Sequence, residues 1–194
     1  MKVLFFLLLL AGCGYSFQEK ENPLAGRTIT VPYIEGDFEG KFTDELIRGL
    51  AASGAFRPLQ KDGDLLLKVK VISIVNTKIG YRHHRDDTTG RIRKRLMPTE
   101  DRRIIKAEIM LIDQISGAVL IGPEMVIASA EYDYVDPDSI RELGFIDAEG
   151  RPRVVLDFSL GQLDSIEGAQ DDVNTPLFRL LSQKIIDGIL YEKS

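Results

Sequence analysis

"LLLKVKVISIVNT" occupies residues 65–77, and its alternation decides the fold class. Leu65, Leu67, Val69 and Val71 fall on one side of an extended chain, while Lys68 and Lys70 fall on the other. That period of two is what a half-buried strand requires. Ile104 to Asp113 repeats it, with Ala107, Ile109 and Leu111 opposite Lys106 and Glu108. Ser116-Gly117 then turns the chain into a third strand, Val119 to Tyr132, interrupted and bulged at Gly122-Pro123.

Upstream, Arg27 to Ile34 is rich in β-branched residues and reads as a strand, with Pro32 tolerable near an edge or bulge. Asp37 or Gly40 opens a helix in which Phe42, Leu46, Ile47 and Leu50 recur at three- and four-residue spacing, and Gly54 stops it. "RPLQKDGD" at 57–64 reads as a connector with turn chemistry at Asp62-Gly63. Downstream, residues 133–172 are acidic and turn-rich, with Val154 to Phe158 as their one strand candidate. Thr175-Pro176 reads as an N-cap followed by proline at the first helical position. Leu177, Phe178, Leu181, Ile185, Ile186 and Ile189 give the closing helix a wide apolar face.

This order predicts an α+β fold: a two-layer sandwich with a small, mostly antiparallel sheet of about four strands and two helices on one face. Ile72, Ile74, Met110 and Ile112 are expected on the opposite face, where an uncovered sheet should turn polar. Either residues 133–172 or a partner protein must cover them. At 194 residues, with 44% apolar and 28% charged side chains, the chain suits one domain, here 27–194. A net charge of −5 argues against nucleic acid as a partner. One cysteine excludes an internal disulfide framework.

That cysteine follows a greasy run. Met1-Lys2 is a short positive start and Val3 to Leu10 is uninterrupted apolar sequence. Eight helical residues rise only about 12 Å, against a bilayer core of roughly 30 Å, so residues 1–12 read as an export signal rather than a membrane span. Leu10-Ala11-Gly12-Cys13 resembles the bacterial lipobox. Small Ala11 and Gly12 leave the backbone open to a peptidase, and the Cys13 thiol can carry a diacylglyceryl group through a thioether. The freed amine can take a further, palmitate-type chain. The alternatives are a plain signal peptide and a buried apolar N-terminus with an incidental cysteine. In the lipobox reading, residues 13–26 form a lipidated tether. Gly14, where inner-membrane retention usually shows aspartate, points to the outer membrane, with the domain facing the periplasm.

Between Lys78 and Lys106 lie ten Lys/Arg and four Asp/Glu, a basic island in an acidic protein. Its centre, "YRHHRDDTTGRIRKRLMP" at 81–98, lies between two strands and reads as a long hairpin loop. It is either a solvated charged loop or a phosphate site, for which paired guanidinium N–H donors are well suited. At an outer membrane the abundant phosphorylated polyanion is lipopolysaccharide. The candidate contacts are Arg82, Arg85, Arg91, Arg93, Lys94 and Arg95. His83 and His84 are adjacent and flanked by arginines, which disfavours a metal. No nucleophile–base pairing or glycine-rich phosphate loop stands out. A non-enzymatic protein without metal or cofactor is expected.

Taken together, "CGYSF" at 13–17, "TITVPYIEGDFEGKFTDELIRGL" at 28–50, "DGDLLLKVKVISI" at 62–74 and "LFRLLSQKIIDGIL" at 177–190 resemble the LptE family of lipopolysaccharide-assembly lipoproteins. The resemblance covers most of the chain except residues 133–172, which look like an insertion, and it implies a small sheet with two helices on one side, working as a plug inside an LptD-type outer-membrane β-barrel. It also implies help in barrel assembly and binding of lipopolysaccharide through basic residues between strands. A different class of reading is a periplasmic adaptor lipoprotein that activates a cell-wall synthase. A third is a ring-forming secretion lipoprotein.

Overall fold

The computed structural model describes residues 23–85, 91–134, 144–154 and 166–191. The signal segment, Cys13, the tether up to residue 22 and residues 155–158 of the expected strand lie outside them.

Strand β1 (Thr28–Thr30) leads through helix α1 (Lys41–Ala52) to a short strand β2 (Arg57–Leu59). Three long strands follow: β3 (Leu65–Arg85), β4 (Ile92–Asp113) and β5 (Val119–Asp133). A small hairpin, β6 (Gly144–Ile146) and β7 (Pro152–Val154), precedes helices α2 (Ile166–Asp172) and α3 (Asn174–Tyr191). The main sheet runs β2-β1-β3-β4-β5. β1 is parallel to both β2 and β3, whereas β3, β4 and β5 form an antiparallel meander.

The expected α+β sandwich therefore stands, but with a five-stranded mixed sheet instead of a mostly antiparallel one of four. The added strand is β2, three residues inside the stretch read as a connector. It carries Pro58, which a sheet tolerates at an edge where no ladder N–H is needed. Parallel pairing of β1 with β2 is what a helical crossover permits. Residues 133–172 contain a separate two-stranded sheet and α2; of the strand expected over 154–158 only Val154 is described, as the last residue of β7.

One sheet face carries the core. Leu65, Leu67 and Val69 of β3, with Ile105, Ala107, Ile109 and Leu111 of β4, pack against Phe42, Leu46 and Leu50 of α1 and Leu177, Leu181, Ile185 and Ile189 of α3. Each of these side chains larger than alanine contributes about 1.5–3 kcal/mol on burial. Phe42 and Phe178 stack across the helix pair at 5.5 Å. Both residues proposed to open α1 take part: Gly40 is the N-cap residue with φ +74°, and the buried Asp37 carboxylate accepts from Thr43 N and Oγ1, each at 2.7 Å. Thr175-Pro176 lies within the first turn of α3, after Asn174, where proline's missing N–H costs no helical bond.

Register places the other face. Lys68↔Met110, Leu66↔Ile112, Glu108↔Met125, Lys106↔Ile127 and Val75↔Ile104 share the side away from the core. Ile74 does not belong there. A bulge between Val71 and Ser73 shifts the register, so Ile74 pairs with fully buried Ile105 on the helix side.

Helix α2 also packs on the helix side, where Ala169 and Val173 meet Tyr132 and Tyr134. Val75, Val119, Met125 and Ile127 on the far side are about half exposed. Among the described residues, then, α2 leaves the open face uncovered. None of the described helices is long and apolar enough to cross a membrane.

Candidate functional site

The basic island is mostly strand, not loop. β3 and β4 stay paired from Leu65↔Asp113 to Arg85↔Ile92, and the strands leave only residues 86–91 between them. Alternation fades here because register shifts at Lys78/Gly80, Gly80/Tyr81 and His83/Arg85 break it and cations are interspersed among the apolar residues. The long ladder is nonetheless satisfied backbone to backbone. β5 pairs with β4 only as far as Asp133↔Glu100, so beyond Gly80 and Glu100 the described sheet narrows to a two-stranded ribbon. From Leu65 to Arg85, at roughly 3.3 Å per residue, the strand runs on the order of 60 Å. β1 joins β3 at Leu65–Leu66, so residue 28 and the ribbon tip lie at opposite ends of the sheet.

The ribbon's base is held by side chains. Asp101 is buried and accepts from Tyr134 OH at 3.2 Å and Tyr132 OH at 3.4 Å. Burial pushes the Tyr132 phenol above its ordinary pKa. Arg102 donates two bonds to Glu131 Oε1 across the ladder, and Arg103 Nη1 donates to Asn76 Oδ1 at 3.3 Å. Two cations of the island thus serve the sheet itself.

The six candidates divide. Arg91 and Lys94 are exposed near the ribbon tip. Arg82 is half-buried, lies opposite buried Met97, and its Nε has no hydrogen-bond partner, so it faces the covered side rather than solvent. Arg85 ends β3, and Arg93 and Arg95 lie in β4; their side chains are outside the described residues, as is Cys13. The fold brings the six together on one ribbon.

Sequence reasoning missed the ribbon's apolar members. Tyr81↔Pro98, Arg82↔Met97 and His83↔Leu96 are consecutive regular pairs, so Tyr81, His83, Leu96 and Pro98 share one face. Tyr81 is 54% exposed, Leu96 56% and Ile92, at the tip, 61%. The alternation of "YRH" against "LMP" signalled this face once the segment is known to be strand.

Surface cavities lie elsewhere among the described residues, two of them against the sheet. One of about 180 Å³ sits between the start of α1, the start of α3 and the sheet, walled by Phe42, Phe178, Val71 and Ile74, with Phe38 and Arg103 among its other lining residues. There Lys41 bridges Glu39 at 2.7 Å and Asp171 at 2.9 Å, and these bonds raise its pKa. The second, about 330 Å³, is lined by Pro32, Tyr33, Lys68, Lys70, Glu108 and Met110 among others. Its Lys70 is held charged by an ion pair with Glu35. Among the described residues no cluster of three His, Cys, Asp or Glu could hold a metal ion.

No protein-family model matches the chain, and no curated protein matches it. Solved structures similar to it include a minor lipoprotein from Acinetobacter baumannii (13% identity, TM-score 0.47, 88% of this chain and 95% of the other). The rare lipoprotein B from Shewanella oneidensis is 13% identical with TM-score 0.42, over 85% of this chain and 92% of the other. An uncharacterized lipoprotein B from Nitrosomonas europaea is 9% identical with TM-score 0.44, over 84% and 81%. Likeness at this level says nothing of what this chain binds.

Proposed function

We propose that the chain is a non-enzymatic outer-membrane lipoprotein, anchored through Cys13, that assists lipopolysaccharide export from within a β-barrel partner. The observation that supports it most is the ribbon: a long basic projection on an acidic body, at the end of the sheet remote from β1. Clustered guanidinium and ammonium groups there suit the phosphates of a lipid head group. The half-exposed Val75, Val119, Met125 and Ile127 on the open face are the surface a barrel wall would cover.

The test is crosslinking in intact envelopes from Met125 and Ile127, followed by identification of the captured protein. Capture of a large outer-membrane barrel is the expected result. Capture of a cell-wall synthase would replace this reading with the adaptor one.

A further inference from the structure

We propose that the outward face of the ribbon docks on an anionic lipid layer, with Tyr81, Leu96 and Ile92 entering the interface and the neighbouring cations holding phosphate-bearing head groups. A two-stranded ribbon has only two faces. The Arg82/Met97 side is closed, since Met97 is 4% exposed, so the Tyr81/Leu96 side is the one presented outward. Single exposed apolar residues are ordinary, but here three are gathered at one projecting end beside Lys94 and Arg91.

That mixture selects the occupant. A soluble polyanion would satisfy the cations and leave Tyr81, Leu96 and Ile92 in water. An apolar protein surface would bury those three and strip the cations of solvent. An anionic leaflet satisfies both at once: tyrosine sits at head-group level, aliphatic side chains enter the acyl boundary, and long cationic stems reach back to phosphate. The charge is complementary as well, because the island is positive within a chain of net charge −5. The inference rests on the ribbon alone and requires neither a barrel nor lipopolysaccharide.

The chain contains no tryptophan, so Leu96→Trp supplies a single reporter in the full-length protein. Tyr81→Trp, an aromatic-for-aromatic change at a half-exposed site, guards against a folding artefact. Phe38→Trp, at a 94% exposed position outside the ribbon, is the control. The probe is vesicles of phosphatidylethanolamine with a minority of phosphatidylglycerol and a brominated acyl chain, free of lipopolysaccharide.

The expected result is a blue shift and bromine quenching for both ribbon reporters and neither for Phe38→Trp. Replacing phosphatidylglycerol with phosphatidylcholine, or raising salt, should reverse both effects. Arg91→Gln and Lys94→Gln should each weaken docking about fivefold.

Ribbon reporters that behave like Phe38→Trp would overturn the inference. A response to lipopolysaccharide but not to these vesicles would also overturn it, leaving the export role standing. A response to these vesicles with no lipopolysaccharide binding would support it and remove the export role.

Discussion

A Cβ built on Gly80 would stand 2.5 Å from the Cβ of Glu100, across the ladder at the point where β5 leaves and the ribbon begins. Only glycine lets the two strands approach this closely at that bulge. Gly80→Val is expected to force the pair apart and lower stability by about 1–3 kcal/mol. Chemical denaturation reads the loss. Limited tryptic digestion, with faster cutting around Arg82 and Arg85, should show it confined to the ribbon.

Asp101 is the polar anchor beneath the ribbon. Replacing it with alanine leaves the Tyr132 and Tyr134 hydroxyls without their shared carboxylate, at a cost of about 1–3 kcal/mol. Tyr132→Phe removes one donor and keeps the packing, so it should cost less. Equal losses for the two variants, by urea unfolding, would contradict the hydrogen-bonded role.

Arg27 fastens β1 to the β4 end through Asp113 at 2.7 Å. Backbone N–H donation from Ser116, with the Arg27 guanidinium, holds the Asp113 carboxyl down to a pKa of about 2. A depressed carboxylate stabilises the fold above its ordinary value of 3.8 and loses that contribution as pH falls toward 2. Asp64, lowered by hydrogen bonds from Thr28, acts in the same direction. Asp113→Asn should therefore flatten the stability profile between pH 4 and 2, which thermal unfolding across that range can follow.

Removing the cap of α1 tests how the helix is started. Asp37→Ala strips Thr43 N of its acceptor and is expected to cost about 0.5–2 kcal/mol. Leu181→Ala, in the centre of the core, should cost about 2–5 kcal/mol. Reversal of that order would place the weight of the fold elsewhere.

The α+β class and both long helices were legible because their apolar period is sustained: Leu65 to Val71 by twos, Leu177 to Ile189 by threes and fours. β2 was not, since three residues with a central proline carry no period. Ile74 was misplaced because one bulged residue inverts the facing of everything after it, and nothing local to the sequence marks that bulge. The ribbon was read as loop because its register shifts and interspersed cations interrupt the alternation of its apolar residues. Its pairing is long-range and backbone-mediated, which side-chain patterns do not report. The basic candidates themselves were found by charge alone, which needs no structure. That Arg82 turns toward the covered side did need it.

The export role turns on whether these cations grip phosphate. The direct measurement is binding of lipopolysaccharide to the full-length protein, at low and raised salt, with Arg91, Arg93 and Arg95 changed together to glutamate. Tight binding by the parent chain, weakened by salt and lost on the triple change, is the expected result. Affinity that ignores both salt and the substitutions would contradict it.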